Sequence, residues 1–224
     1  MPNVLFIQHE EEDRPGLVGE SFAKLGYNVY LEALNTDLPT PSLDGMDALV
    51  ILGSKDSVYD PEVKSAWFDR ELRLIGDAVK NDIPVFGICF GAQALCTFHG
   101  GSVAKAEEAE IGWYEIEPVA GSGITRGPWF EFHYDSCTIP QDAEILATSP
   151  RAVQAFAIGK NFAVQFHPEI DGQLLNEWFE LSRDPGMYST EMLEQAVSET
   201  PEARRRVSAL VDTFLARAGL APTA

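Results

Sequence analysis

The chain has 224 residues, of which 45% are hydrophobic and 23% are charged, an ordinary composition for a globular protein. Its 35 acidic and 16 basic side chains give a net charge of −19, which predicts no binding to nucleic acid or to anionic membranes. Cys89, Cys96 and Cys137 are odd in number and lack paired spacing, which favours a reducing compartment over a disulfide framework. With no leader pattern and no apolar run of roughly 20 residues, we expect a cytoplasmic protein without a membrane partner.

The first half of the sequence alternates between predicted strands and predicted helices. The predicted strands cover Asn3–Gln8, Val29–Leu34, Ala48–Leu52 and Val85–Ile88. The predicted helices cover Gly16–Leu25, Pro61–Lys80 with Asp60 as its N-cap, and Gly91–Phe98. Continuously apolar strands that alternate with helices predict an α/β fold, in which a mostly parallel sheet is covered by helices on both faces.

The second half changes to short strands and then to helices. Turn residues separate predicted strands over Val103–Lys105, Trp113–Pro118, Trp129–His133, Glu144–Thr148, Ala152–Ile158 and Phe162–Phe166. We expect these strands to add antiparallel hairpins to the sheet. The tail from Asp171 to Leu220 is predicted to be helical, with one helix starting at Thr200-Pro201-Glu202 and ending at Gly219. Without a linker or a repeat, we expect one domain over residues 1–224, with a core over 3–182 and a helical extension over 183–220.

Cys89 lies between a predicted strand and a predicted helix, and Gly87 and Gly91 flank it. Glycines permit a sharp strand-to-helix turn that side chains would block, which is typical of a nucleophile elbow. The N-terminus of the following helix favours negative charge and therefore the reactive thiolate. We interpret Cys89 as a nucleophile rather than as a buried structural cysteine.

A second motif, His167-Pro168-Glu169, ends the last predicted strand. Residues two apart on a strand point to the same face, so we expect the side chains of His167 and Glu169 to lie side by side. A cysteine nucleophile needs a base to take its proton, and the base needs a third group to orient it. Cys89, His167 and Glu169 fit these three roles.

Together the two motifs resemble those of class I (triad-type) glutamine amidotransferases. The family's Gly-x-Cys-x-Gly-x-Gln elbow matches residues 87–93, and its His-Pro-Glu motif matches residues 167–169. The resemblance covers about residues 3–182 and is greatest to free-standing members similar to the amidotransferase domain of GMP synthase. It implies a flavodoxin-like three-layer sandwich. It also implies that Cys89 attacks the side-chain amide of glutamine, with His167 as general acid/base and Glu169 orienting it.

The resemblance further implies where the rest of the substrate site lies. Two backbone N–H groups, of Phe90 and of Ser54, are expected to form the oxyanion hole. Ser54 follows Gly53 in the loop that corresponds to the family's Gly-Gly-Pro loop, so it replaces a glycine. The resemblance implies five substrate-binding residues, of which Tyr134 also replaces a family glycine: Gly53, Gln93, His133, Tyr134 and Asp135.

Three functions remain open from the sequence. The first is a glutaminase that passes ammonia to a separate synthetase chain. The second is a free-standing hydrolase of γ-glutamyl amides or peptides, and the third is a non-enzymatic binding relative. No phosphate-binding Gly-rich loop is present, so we expect no cofactor.

Two other histidines invite interpretation. His9 follows the first strand at the sheet edge where a site is expected, so it can approach the pocket. We interpret the acidic run after it, residues 10–13, as a solvated loop, and we expect no metal there. His99 is interpreted as a cap at the end of the elbow helix, where a cation would suit the helix dipole.

Overall fold

The computed structural model describes residues 1–35, 38–182 and 188–220. Its strands are β1 (Asn3–Gln8), β2 (Asn28–Ala33), β3 (Ala48–Ile51), β4 (Val85–Ile88), β5 (Ser102–Tyr114), β6 (Glu117–Pro118), β7 (Trp129–Thr138), β8 (Glu144–Thr148), β9 (Val153–Ile158) and β10 (Asn161–Val164). Its α-helices are α1 (Gly16–Lys24), α2 (Pro61–Val63), α3 (Asp69–Lys80), α4 (Phe90–Phe98), α5 (Gly172–Leu181) and α6 (Thr190–Ala218).

The central sheet has eight strands in the order β2-β1-β3-β4-β10-β9-β8-β6. The first five are mutually parallel, and the last three add in antiparallel fashion. The predicted mostly parallel sheet with added antiparallel strands is confirmed. The carboxyl ends of β1, β3 and β4 therefore meet at one edge, which is where ligands bind in open parallel sheets.

Helices cover both faces of this sheet because successive residues of its buried strands point to opposite sides. Val4 and Phe6 of β1 belong to one hydrophobic core, which includes residues of α1 and α6. Leu5 and Ile7 belong to a second core, which includes residues of α3 and α4. This arrangement is the expected three-layer sandwich.

The predicted helix over Pro61–Lys80 consists of three consecutive helical segments. Asp60 is its N-cap, as expected, and its carboxylate accepts a hydrogen bond of 2.8 Å from the backbone N–H of Glu62. A π-helical segment, Lys64–Phe68, separates α2 from α3. Single π-helical turns are frequent near functional sites. This one carries the buried ring of Trp67, which faces His9.

The expectation that every hairpin joins the central sheet is wrong for one pair of strands. β5 is one strand of 13 residues, where the sequence predicted two separate strands. It pairs with β7 to form a separate two-stranded antiparallel sheet. The pairing register shifts between Lys105 and Glu110, so the pair bends there. Only residues 117–118 of the predicted strand Trp113–Pro118 reach the central sheet.

The predicted helix start at Thr200 is also wrong, because α6 runs without a break from Thr190 to Ala218 and contains Pro201. Ser189 caps its true start, since the Ser189 hydroxyl accepts a hydrogen bond of 3.2 Å from the N–H of Met192. Buried residues of α6 lie on both sides of Pro201. Their packing therefore outweighs the usual cost of a proline inside a helix, roughly 3 kcal/mol. The end at Gly219, where φ is +74°, is confirmed.

Residues 183–187 of the predicted helical tail lie outside the described residues. In the part of the chain that the structure describes, no helix is both long enough and apolar enough to cross a membrane.

We predict that α6 is an integral part of the fold. The Phe214 ring is fully buried against Phe86, with their ring centroids 5.3 Å apart. Truncating it in Phe214→Ala should lower the free energy of unfolding by about 3–5 kcal/mol, as measured by urea denaturation. Val197→Ala is the control on the same helix, because Val197 is 66% exposed. Equal stability of the two variants would contradict the packing described here.

Candidate active site

Cys89 lies in the sharp turn between β4 and α4. It is one of two non-glycine residues with positive φ among the described residues, with φ +51° and ψ −103°. A Cβ atom at Gly87 would lie 2.4 Å from the carbonyl oxygen of Gly91, and one at Gly91 would lie 2.2 Å from that of Ile51. The turn therefore requires both glycines, and it leaves Cys89 directly before the first N–H groups of α4.

His167 and Glu169 form a buried pair just beyond the end of β10. Nδ1 of His167 donates a hydrogen bond of 2.7 Å to Oε1 of Glu169. The backbone N–H of His167 donates to the carbonyl of Phe130 at 2.7 Å, which attaches this turn to β7. The two side chains meet as expected, but they do so through a turn, because the strand already ends at Val164.

The elbow and the His167 turn are held together. The N–H of Cys89 donates a hydrogen bond of 2.9 Å to the carbonyl of Val164, the last residue of β10. Burial alone would lower the pKa of His167, but the charges of Glu169 and Cys89 and the hydrogen bond to Glu169 raise the pKa well above its usual value. With Nδ1 donating to Glu169, Nε2 is the nitrogen that is available to exchange a proton with the thiol.

Gly53 lies against both Cys89 and His167. A Cβ atom at Gly53 would lie 3.0 Å from Cε1 of His167 and 3.9 Å from Cβ of Cys89. The loop after β3 thus brings its backbone next to the thiol. The side chain of Ser54 is bonded away from this point, because its hydroxyl donates to Oε1 of Glu10 at 3.2 Å and accepts from the N–H of Asp56 at 3.1 Å.

A cavity of about 480 Å³ opens above His167 and Gly53. Its remaining walls come from the loop after β1, the loop after β3, β7, α5 and the segment before α6. The lining residues are Glu10, Glu11, Glu12, Asp13, Ser54, Lys55, Phe132, Trp178, Leu181, Ser182 and Tyr188. The cavity therefore combines apolar aromatic surface with carboxylates beside His167, an arrangement suited to a small polar ligand.

None of the other predicted binding residues, Gln93, His133, Tyr134 and Asp135, is among the residues that line this cavity. Gln93 is buried in α4, and Tyr134 is exposed on β7. The carboxylate of Asp135 accepts hydrogen bonds of 2.7 Å from Ser57 and 2.8 Å from Tyr59. It therefore joins β7 to the loop after β3.

The ring of His133 is enclosed between two carboxylates. Its Nε2 lies 3.3 Å from Oε2 of Glu110 and 3.3 Å from Oε2 of Glu131, and Nδ1 lies 2.9 Å from the carbonyl of Asp135. Burial lowers the pKa of His133, but these two carboxylates outweigh that effect and raise it to about 10. We conclude that the His133 side chain stabilises the β5–β7 sheet as a buried cation.

His9 is the residue whose position the sequence did not reveal. We expected the loop after it to be solvated, but His9, Glu10 and Asp13 are all buried. Nδ1 of His9 donates to the carbonyl of Gly53 at 2.7 Å, and Nε2 donates to Oε2 of Glu71 at 2.6 Å. These partners come from 44 and 62 residues away in sequence, so no local pattern indicates them.

Two further electrostatic features differ from the sequence expectations. Burial, followed by hydrogen bonding to Glu10, raises the pKa of Asp13 to about 8. Burial lowers the pKa of His99, and its Nε2 lies 2.9 Å from Nδ2 of Asn161. His99 is the C-cap residue of α4, as expected, but it stands there as a neutral acceptor rather than as a cation.

Within residues 1–35, 38–182 and 188–220, no group of three or more His, Cys, Asp and Glu side chains is arranged to hold a metal ion.

Comparisons with known proteins identify similar chains. Residues 17–179 match the sequence model of the family described as glutamine amidotransferase class-I. A GMP synthase (glutamine-hydrolysing) of Helicobacter acinonychis is 36% identical over 129 residues, which cover 54% of this chain but only 24% of that protein. A glutamine-hydrolysing GMP synthase subunit of Thermoplasma volcanium is 31% identical over 153 residues, covering 64% of this chain and 72% of the relative. The crystal structure of a glutamine amidotransferase of Thermotoga maritima matches with a TM-score of 0.84 and 26% identity, over 96% of this chain and 98% of the other.

We predict that stability falls with rising pH above neutrality, in part because of His9. Burial lowers the pKa of His9, but Glu71 and the Gly53 carbonyl outweigh it and raise the pKa from 6.5 to about 9. Between pH 7 and 9 the folded protein keeps a proton that the unfolded chain has lost, so the free energy of unfolding decreases, by about 2 kcal/mol from this group.

Urea denaturation at pH 7 and pH 9 measures this loss. In Glu71→Gln the pKa of His9 should return toward its ordinary value, so the difference in stability between the two pH values should shrink. An unchanged difference in that variant would show that the His9–Glu71 pair does not hold the extra proton.

Proposed function

The chain belongs to the class I glutamine amidotransferase family, and from that premise we propose that it hydrolyses the side-chain amide of glutamine at Cys89 and supplies ammonia to a separate acceptor synthetase. The observation that carries this proposal is the elbow of Cys89 beside the buried His167–Glu169 pair, next to an open cavity. The buried hydrogen bond between His167 and Glu169 and the position of Cys89 before the first N–H groups of α4 support the three proposed roles.

The proposed reaction begins when Nε2 of His167 takes the thiol proton of Cys89. The thiolate attacks the amide carbon, and a tetrahedral intermediate forms. This intermediate collapses as the C–N bond breaks and His167 returns the proton to the leaving nitrogen, which departs as ammonia. Water, deprotonated by His167, then hydrolyses the γ-glutamyl thioester, glutamate leaves, and the proton returns to the thiol. Glu169 keeps the ring of His167 oriented and stabilises its charged form.

The tetrahedral intermediate places a negative charge on the former carbonyl oxygen. In this proposal two backbone donors stabilise it: the N–H of Phe90 at the start of α4, and the N–H of Ser54. Support for the second donor comes from the close contact of Gly53 with His167 and Cys89. A serine donates its N–H as a glycine does, so the departure from the family's glycine is compatible with this role.

The amino-acid end of the substrate is proposed to contact Gln93 and the β7 segment of His133, Tyr134 and Asp135. Ser57 and Tyr59 donate hydrogen bonds to Asp135 and hold this segment in place, which supports a role in binding through backbone groups. The His133 ring itself lies against Glu110 and Glu131, so its contribution is to the shape of the segment.

A separate synthetase chain is part of the proposal because one similar protein, that of Thermoplasma volcanium, is itself named as one subunit of a GMP synthase. The net charge of −19 agrees with a partner other than nucleic acid. We also propose that residues 1–224 form one cytoplasmic domain, with a core over 3–182 and a helical extension over 183–220. The burial of Phe214 against the central sheet supports this unity.

A second candidate is hydrolysis of γ-glutamyl amides or peptides by this chain alone. The cavity of about 480 Å³ favours it, because that volume lies within the range of roughly 300–1,000 Å³ seen for drug-sized ligands. Such a cavity has room for an organic group on the scissile nitrogen. A non-enzymatic role is disfavoured, because binding alone requires none of the Cys89, His167 and Glu169 side chains.

We predict that Cys89→Ala removes hydrolysis, whereas Glu169→Gln lowers kcat by roughly 10²- to 10⁴-fold, because His167 loses its orienting carboxylate but can still accept a proton. Release of ammonia and glutamate by the purified chain measures both. Cys137→Ser is the control, because it removes a thiol outside the elbow. Turnover by Cys89→Ala at the wild-type rate would eliminate the proposed mechanism.

A comparison of L-glutamine with γ-glutamyl peptides and γ-glutamyl alkylamides separates the two candidates. The amidotransferase proposal predicts slow, Cys89-dependent hydrolysis of glutamine and poorer use of the larger amides. A kcat/KM at least about tenfold higher for a γ-glutamyl peptide than for glutamine would instead favour the free-standing hydrolase.

A further inference from the structure

The loop after β3 is fixed by a hydrogen bond from inside the protein. The carbonyl of Gly53 accepts a hydrogen bond of 2.7 Å from Nδ1 of His9, which is buried at the end of β1. This carbonyl and the N–H of Ser54 belong to the same peptide group. That group is trans, because the one cis peptide among the described residues joins Gly127 to Pro128. In a trans peptide the C=O and the N–H point in opposite directions.

The position of His9 is itself fixed on several sides. Nε2 donates to Oε2 of Glu71, which is fully buried on α3. The His9 ring packs against Trp67, with centroids 4.8 Å apart, and against Phe90, with centroids 5.1 Å apart. His9 therefore has neither a free ring nitrogen nor room to rotate.

We propose that His9 is a positioning residue that aims the N–H of Ser54 at the oxygen of the reacting carbonyl. Because His9 binds the C=O of the Gly53–Ser54 peptide, the N–H of that peptide is turned to the opposite side. Gly53 lies against Cys89 and His167, so this peptide is next to the reacting atoms. This role rests on the proposed function, in which the N–H of Ser54 is an oxyanion donor.

His9 also links the two proposed donors. Its ring packs on Phe90, whose backbone N–H is the other donor, while its Nδ1 holds the peptide of Ser54. One rigid side chain thus sets the spacing of both donors. Both ring nitrogens donate to acceptors, so the ring carries two protons, in keeping with the raised pKa given above. A cation bound to the C=O withdraws electron density from the peptide and strengthens its N–H as a donor.

The expected consequence is a loss in kcat with little change in KM. Oxyanion donors act on the tetrahedral intermediate and contribute little to binding of the planar amide, so their loss lowers the rate of the chemical step. Removing one such donor outright typically costs about 10²- to 10³-fold in kcat. Because a misaimed donor retains part of its effect, we expect a loss of roughly 10- to 100-fold.

The test compares two variants with the wild-type protein. The double variant His9→Phe/Glu71→Leu keeps an aromatic ring between Trp67 and Phe90, removes the bond to Gly53, and leaves no buried carboxylate without a partner. Glu71→Gln is the conservative variant. Its introduced amide donates to Nε2 of a neutral His9, whose Nδ1 still carries a proton and still donates to Gly53.

Two measurements distinguish a misdirected N–H of Ser54 from a general disruption of the site. The first is kcat and KM for hydrolysis of L-glutamine or of the best γ-glutamyl amide. The second is the rate at which iodoacetamide alkylates Cys89, followed by mass spectrometry of the peptide that contains it. In alkylation the sulfur–carbon bond forms as iodide leaves, so no oxyanion arises. This rate therefore reports only on the thiol and on His167.

We expect the double variant to lose about 10- to 100-fold in kcat, with KM and the alkylation rate each within about threefold of wild type. Glu71→Gln should keep most of the wild-type kcat. Provided that the wild-type protein is active, three results would overturn the role of His9. The double variant could keep the wild-type kcat, or its alkylation rate could fall in proportion to hydrolysis. Glu71→Gln could also lose as much kcat as the double variant. A wild-type protein without Cys89-dependent hydrolysis would overturn both this role and the proposed function.

Discussion

The backbone turn at Cys89 is the constraint on which the rest of the site depends. A positive φ at a non-glycine residue costs of the order of 1–3 kcal/mol, and the surrounding structure must hold it in place. Two contacts hold the elbow in place. The N–H of Cys89 donates to Val164, which ties the elbow to β10, and Gly91 packs closely against Ile51, which ties it to β3. Because these strands are parallel neighbours of β4, their following loops reach the thiol from both sides.

Buried histidine–carboxylate pairs surround this turn in three places. His167 with Glu169 lies beside Cys89, His9 with Glu71 lies behind the loop after β3, and His133 lies within the β5–β7 sheet against Glu110 and Glu131. In each place a buried carboxylate keeps a histidine proton that burial alone would expel. In this account the first pair performs the proton transfers, whereas the other two keep the walls of the site rigid. The same chemical arrangement thus serves both reaction and architecture.

The sequence was sufficient for those features that local pattern determines. The parallel strands, the elbow and the His-Pro-Glu turn are short motifs with recognisable residues, so the fold and the cluster around Cys89 were predictable. Features set by distant partners were not. The burial of His9 depends on Glu71, far along the chain, and Pro201 inside α6 is tolerated only because the helix packs against the core. The separate β5–β7 sheet likewise depends on a register that the alternation pattern does not specify.

If Cys89 is the nucleophile for a γ-glutamyl amide, a covalent reagent directed by the glutamyl group must modify it, and such labelling is the most direct test. The reagent is a glutamine analogue whose amide is replaced by a diazoketone, and the modified residue is located by peptide mass spectrometry. We predict labelling of Cys89, suppression of that labelling by the natural amide substrate, and no labelling of Cys96 or Cys137. Absence of labelling at Cys89, or labelling that no γ-glutamyl amide suppresses, would contradict the account.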